Sequence, residues 1–226
     1  MKRFSFSLIF VALAFFLSRA SGGDLSDKSF WGVRLSYELA APGDVNLKNG
    51  YKMDLYGNGS GFSAGAVYHI PVFYNFYFEP GAQLYYNTYS LNRTLVDDSL
   101  DDDAGSVVKS TGASARMWGV RIPVIGGYRF DLFPGFDISV FTGPEFNLGL
   151  SAKNHVSVGS FSASSSAYGD DGTLNRADIK WRFGVGVTFC SHVYGAVSGA
   201  IGMCDMSRGR STMHSNLFDI TLGYNF

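Results

Sequence analysis

Four histidines, His69, His155, His192 and His214, are the side chains of this 226-residue chain best suited to moving protons. Hydrolytic chemistry would require one of them beside a serine nucleophile and an acid that orients the ring. His155 has Ser151 and Ser157 nearby in sequence, and His214 has Ser211 and Ser215. Both groups lie in polar stretches where serine is common, so solvated loop histidines explain them without catalysis. A second candidate is VDDSLDDDAG, Val96 to Gly105, with Asp97, Asp98, Asp101, Asp102 and Asp103. Carboxylate oxygens suit Ca²⁺, but the spacing departs from the EF-hand pattern D-x-[DN]-x-[DN]-G-x₅-E, and a solvated acidic loop is the simpler reading. No His or Cys spacing matches a zinc site. The expectation is a chain without catalytic residues, metal or cofactor.

The third set is larger. Arg34, Glu38, Glu79, Arg121, Arg129, Asp137, Glu145, Lys180, Arg182 and Asp219 each sit in a segment whose alternate residues are apolar. Such charges could line a selective pore, or they could pair as a salt-bridge network inside a narrow barrel. Which of these applies depends on the elements that carry them.

Those elements are strands. In FDISVFTGPEFNLGL, Phe136 to Leu150, the even positions are mostly apolar and the odd ones mostly polar or small. This period of two marks a strand with two unlike faces. Seven further segments repeat it to varying degrees: WGVRLSYEL, GFSAGAVYHI, FYFEPGAQLYYNTY, WGVRIPVIGGYRF, IKWRFGVGVTF, VYGAVSGAIGM and LFDITLGYNF. VYGAVSGAIGM is small on both faces, and its register is not readable. Eight is an even number, as bacterial single-chain barrels require. PVFYN, DLFPG and Ser191-His192 are short connections, whereas about 41–59, 91–114 and 151–177 are long loops and CDMSRGRSTM is intermediate. Short turns at one end and long loops at the other are the pattern of membrane barrels.

The polar faces carry glycine, small residues and charges, which suit the interior of an eight-stranded barrel. The apolar faces place Trp31, Phe76, Trp118, Tyr128, Phe136, Trp181 and Tyr224 near strand ends, where rings form interfacial girdles. Centring the DLFPG turn on Phe133 sets Arg129 opposite Asp137 and Arg121 opposite Glu145. Pro80, Pro123 and Pro144 fall inside strands that a closed barrel leaves without edges. Because proline removes a ladder donor, bulges or missing hydrogen bonds are expected at all three. SVGSFSASSSAYGDDG, Ser157 to Gly172, reads as a polar, low-complexity, mobile loop.

Lys2 and Arg3, an apolar run from Phe4 to Leu17 and Ser18-Arg19-Ala20 read as a signal peptide cleaved near Ala20. The run is shorter than the roughly 20 residues a helical span needs. The expected division is therefore 1–20 signal peptide and 21–226 barrel domain. Removing three basic residues leaves 15 against 19 acidic ones, a net charge of −4 that gives no basis for nucleic-acid binding. Cys190 and Cys204, at opposite ends of one strand, are expected to be free thiols.

On YFEPGAQLYY, VRIPVIGGYRF, FTGPEFNLGL, FGVGVTF and the ending ITLGYNF, the chain resembles the Bacteroidetes-type outer-membrane β-barrel family, the PorT-like group of OmpA/OmpX-like eight-stranded barrels. The resemblance covers the mature chain and supplies no catalytic or ligand motif. The terminal segment, with Phe218, Ile220, Leu222, Tyr224 and Phe226, also resembles the signal read by the barrel assembly machinery.

The resulting expectation is an all-β, eight-stranded, antiparallel, up-and-down transmembrane barrel with both termini periplasmic. Its partners would be outer-membrane lipid and lipopolysaccharide, the assembly machinery and a protein at the extracellular loops. Its role would be structural, adhesive or complex-forming. A narrow channel, an outer-membrane enzyme and a soluble exported barrel with an apolar pocket are the alternatives.

Overall fold

The computed structural model describes residues 28–43, 45–47, 52–53, 56–91, 110–158, 161–168, 174–205 and 211–226. The stretch read as a signal peptide and the acidic run Val96 to Gly105 lie outside the described residues. Eight long strands form the wall: β1 (Phe30–Pro42), β4 (Tyr56–Phe73), β5 (Phe76–Leu91), β6 (Ser110–Phe133), β7 (Phe136–Val158), β9 (Ala177–Phe189), β10 (Val193–Gly202) and β12 (Ser215–Asn225). Each pairs antiparallel with its chain neighbour in that series, and β12 pairs with β1 to close the ring. Four short strands stand at the long-loop end. They are β2 (Val45–Leu47), β3 (Lys52–Met53) and β11 (Ser211–Thr212), which pair together, and β8 (Phe161–Ser166), which pairs with the far end of β7.

Closure is complete at the seam. Arg34 Nη1 donates to Asn225 Oδ1 at 2.9 Å, and the Phe226 amide donates to the Trp31 carbonyl at 2.8 Å. Followed once round the wall from Phe30, through His69, Glu79, Ile125, Gly143, Arg182, Ala200 and Leu217, the constant register returns to β1 at Ala40. That offset of ten residues means the strands are tilted, as in small barrels, by roughly 35–45°.

The distribution of side chains is inverted relative to a soluble protein. Among the described residues the buried ones include more polar side chains, twenty, than apolar ones, seventeen, and thirty-four large apolar side chains stand exposed. A soluble monomer rarely exposes an apolar patch beyond a few hundred Å², and here the patch runs round the whole wall. On β1 the alternation is unbroken: Trp31, Val33, Leu35, Tyr37 and Leu39 face out, and Arg34, Ser36 and Glu38 face in. Rings gather at the short-turn end, where Phe76 packs on Tyr128 at 4.8 Å and Phe133 stacks on Phe136 at 5.0 Å. This is a transmembrane barrel, with the apolar face turned to hydrocarbon.

Several expectations need correction. The turn between β6 and β7 is centred on Pro134 and Gly135, not on Phe133, so Phe133 pairs with Phe136. Proline pre-sets the first central position of such a turn, and Gly135 supplies the positive φ, 77°, at the second. The register therefore shifts. Arg129 pairs with Ser139, and Arg121 pairs with Asn147. The long loops are also shorter than read, because β6 begins at Ser110 and β7 runs to Val158. The described part of the low-complexity stretch is not loop: it includes the end of β7 and the paired β8, and its Ala167 and Tyr168 are buried. The register of β10, unreadable from sequence, turns Tyr194, Ser198 and Ala200 inward and Val197 and Ile201 outward.

The prolines do not make bulges. Pairing skips two positions between β4 and β5 at Pro80, two between β5 and β6 at Pro123, and two between β6 and β7 at Pro144. The register is unchanged across each gap, and each proline keeps its paired position on its other side, against Val124, Glu145 and Trp181 respectively. A missing N–H thus removes pairing from one side of the strand only.

A closed wall with no free edge resists detergent until heated. Purified protein run on a dodecyl sulfate gel without heating should migrate differently from the boiled sample. Identical mobility of the two would contradict the closed barrel.

Candidate functional site

The site is the interior. Successive inward residues of eight tilted strands meet across the axis, so charges far apart in sequence become neighbours. At mid-height they form a chain. Arg121 holds Glu38 through both terminal nitrogens, and its Nε lies 3.0 Å from Glu145 Oε1. Arg182 Nε donates to the other oxygen of Glu145, and Arg182 Nη1 reaches Asp219. Glu38 and Glu145 are fully buried at 0% exposure. Neutral donors fill the remaining sites: Ser198 Oγ donates to Asp219 at 2.9 Å, Thr221 Oγ1 donates to it at 3.0 Å, and Asn147 Nδ2 donates to Glu145 at 3.2 Å. A buried carboxylate is costly unless it is both paired and hydrogen-bonded, and Glu145 and Asp219 are both.

Nearer the short-turn end, Arg34 Nη2 reaches Glu79 Oε2 at 3.4 Å and stacks over the Tyr194 ring, 4.1 Å from its centroid. His69 lies 3.2 Å from the same Glu79 oxygen and 2.6 Å from Arg129 Nη2. Its ring is sandwiched between Phe30, at 4.4 Å, and Tyr77, at 4.6 Å. Asp137 is half-buried at this end, beside the β6–β7 turn. Toward the long-loop end, Lys180 lies 3.8 Å from Asp178 and donates to Ser215 Oγ at 3.3 Å.

Of the ten charged residues read from sequence, eight are buried in the lumen, and Arg129 and Asp137 are half-buried near its short-turn mouth. The two pairings inferred from the turn do not form as cross-strand partners. Arg121 nevertheless reaches Glu145, because a long guanidinium spans the diagonal to the residue two positions along the neighbouring strand. Sequence reading missed Asp178, one residue ahead of IKWRFGVGVTF. It also missed two apolar layers inside the barrel. Tyr77, Ile125 and Phe141 form one toward the short-turn end, at the level of Glu79 and His69. Above them, Met117, Met213 and Leu217 pack with Tyr168 and Leu174 of the β8–β9 connection. The signal for the first was visible, since Phe141 interrupts an otherwise polar face.

Together these layers fill the interior. Three voids border lumen side chains: about 40 Å³ beside Arg34, Glu79 and Arg182, about 20 Å³ beside Arg121, Asp178 and Tyr168, and about 20 Å³ beside His69 and Arg129. One water needs about 10–15 Å³ on this measure, so the two smaller voids each hold about one water and the largest about three, and the three share no lining residue. The Asp178 carboxylate oxygens and Asn87 Oδ1, buried without a hydrogen-bond partner, belong to residues lining the second void.

Among the described side chains the histidine–serine groups do not assemble, and those of Ser157 and Ser211 lie outside them. His155 and Ser151 share the outward face of β7 but are four residues apart on an extended strand, roughly 13 Å. His214 is exposed, whereas Ser215 is turned inward and buried. Among the described residues no cluster of three His, Cys, Asp or Glu side chains could hold a metal ion. Cys190 and Cys204 are free thiols. Phe218, Ile220 and Leu222 stand exposed on the outward face of β12, Phe226 is exposed just beyond it, and the half-buried Tyr224 packs against His192 and Phe226.

No family model matches the chain, and no curated protein matches it by sequence. Solved structures resemble it at low identity. The attachment invasion locus protein Ail of Yersinia pestis, in complex with the heparin analogue sucrose octasulfate, is 15% identical with a TM-score of 0.41, over 88% of this chain and 99% of that one. Neisserial surface protein A is 13% identical with a TM-score of 0.42, over 87% and 97%. The toluene transporter TodX of Pseudomonas putida is 8% identical with a TM-score of 0.25, over 87% and 89%. Likeness at this level assigns no function.

The central carboxylate is the most exacting element of the lumen. Glu145→Gln keeps the shape but leaves two buried guanidiniums short of charge, and should cost about 3–5 kcal/mol. Urea unfolding of the barrel in lipid vesicles measures this loss. A change under about 0.5 kcal/mol, the range of an ordinary surface substitution, would show that the network does not stabilise the fold.

Proposed function

We propose that the chain is a non-enzymatic barrel of the bacterial outer membrane, of the Bacteroidetes PorT-like kind. It acts as a structural, adhesive or complex-forming surface protein. The observation that carries this reading is the filled lumen. With the interior occupied by paired charges and two apolar clusters, what remains free to meet a partner is the long-loop end. There β6 and β7 extend to 24 and 23 residues, more than the roughly 9–11 that cross a bilayer, and the hairpin with β8 adds further surface. In this reading the termini and short turns face the periplasm, and the long-loop end faces the exterior. Phe218, Ile220, Leu222, Tyr224 and Phe226 present the signal for the assembly machinery before β12 pairs.

A narrow channel is the second reading, and the small, separate voids argue against it. In a planar bilayer the purified barrel should give no steady conductance. Regular unitary steps would replace the proposed role with transport. An epitope tag inserted between Asp101 and Asp102 should be reached by antibody on intact cells, and one between Pro134 and Gly135 should not; the reverse labelling would invert the orientation. Removing Phe226 should lower the yield of folded barrel in the outer membrane several-fold, measured as the heat-shifting fraction on a gel.

A further inference from the structure

Near the bulge between β6 and β7, one extra residue enters β7. Pairing steps from Gly119–Gly149 to Trp118–Ser151, leaving Leu150 without a partner. A bulge re-aims the side chains beyond it. Before it the odd residues Asn147 and Gly149 point inward; after it the even Ala152 does, and Lys153 and His155 emerge on the outer face. Without the bulge Lys153 would enter the lumen. Instead it stands directly opposite Arg116, both exposed.

Like charges directly opposite on neighbouring strands repel. Among the described residues no carboxylate pairs with Arg116, Lys153 or His155. The three line an open hollow of about 360 Å³ whose other walls are Tyr86, Trp118 and hydroxyl-bearing Ser151 and Ser164. Its position is specific. Tyr86 pairs with Trp118, their rings form the upper edge of the apolar wall, and Arg116 follows Trp118 by one outward position toward the long-loop end. Below lie exposed Leu84, Leu148 and Leu150. Cations and hydroxyls above, aromatic rings at the boundary and an aliphatic wall beneath are complementary to one kind of molecule, a glycolipid with phosphate on its headgroup.

We infer that the Arg116–Lys153 hollow binds the phosphorylated headgroup of an outer-leaflet glycolipid, with the acyl chains lying against the wall below Trp118. The phosphate bridges the two opposed cations and removes their repulsion, and the serine hydroxyls and His155 add hydrogen bonds. The inference rests on the outer-membrane reading above and names a lipid partner and its site.

The test uses the full barrel refolded in detergent, with lipid A and with the same glycolipid stripped of its phosphates as probes. Retained lipid is measured by native mass spectrometry after detergent exchange. The unmodified protein should retain lipid A and lose the dephosphorylated form. Arg116→Glu with Lys153→Glu should lower retention at least tenfold while the heat-dependent gel shift persists, and Lys28→Glu, at the opposite end, should leave it unchanged. Equal retention by the double variant overturns the site. Equal retention of the dephosphorylated lipid overturns phosphate recognition, and competition by dextran sulfate at matched phosphate and sulfate concentrations would assign the hollow to a soluble polyanion instead. Failure of the unmodified protein to show the gel shift would reject the membrane-barrel reading itself, separately from the site.

Discussion

In hydrocarbon a peptide N–H or C=O has no water to turn to, so a strand can cross a membrane only if both of its edges are paired. Closure of β12 onto β1 meets this requirement, and the rest of the architecture follows from it. A closed ring of eight strands with an offset of ten leaves an interior only side chains wide. The interior must then be filled, and the period of two that makes the outside apolar leaves the inside with the other half of each strand. That half is polar and small, and its charges have to find each other. Glu145 between Arg121 and Arg182, flanked by Glu38 and Asp219, is the result.

The same constraint explains what was legible in the sequence. All eight wall strands could be read, because a face in contact with lipid tolerates almost no polar residue and the alternation stays clean. Inward positions such as Arg34, Glu38 and Asp219 could be read for the same reason. The cross-strand partners could not. They depend on where a turn is centred, and Pro134-Gly135 displaced the centre from Phe133. The pairing of Arg121 with Glu145 survived that error only because guanidinium reach covers a two-residue offset. β10, with small residues on both faces, gave no register at all, since nothing in Ala196, Ser198 or Ala200 distinguishes inside from outside. The β8 hairpin and buried Tyr168 were missed because serine and glycine repeats look alike whether they are paired or solvated. Gly149 gives the local reason: a Cβ there would meet the Tyr168 hydroxyl at 2.1 Å, so the ring packs where a side chain is lacking.

The three prolines show how much irregularity such a wall accepts. Pro80, Pro123 and Pro144 lie on successive strands, and each gap opens at the next interface along. Pairing resumes in the same register beyond every gap, so inward and outward faces are preserved. The single change of face on β7 occurs elsewhere, at Leu150, where an inserted residue and not a proline does the work. Gaps and bulges are therefore distinct devices here: one weakens a ladder locally, the other decides which residues meet lipid.

The seam has a consequence in time as well as in space. Arg34 and Asn225, which join across it, are separated by 191 positions in the chain. Contacts between distant parts of a chain form late, after the entropy of a long loop has been lost. The final strand is also the last to be synthesised, so every shorter portion of the chain is an open ribbon with two sticky margins. The central charges also wait for partners on other strands: Glu145 needs Arg121 and Arg182, and Asp219 needs Arg182. Until β12 meets β1 these margins stay unpaired, so closing the wall depends on joining its first and last strands.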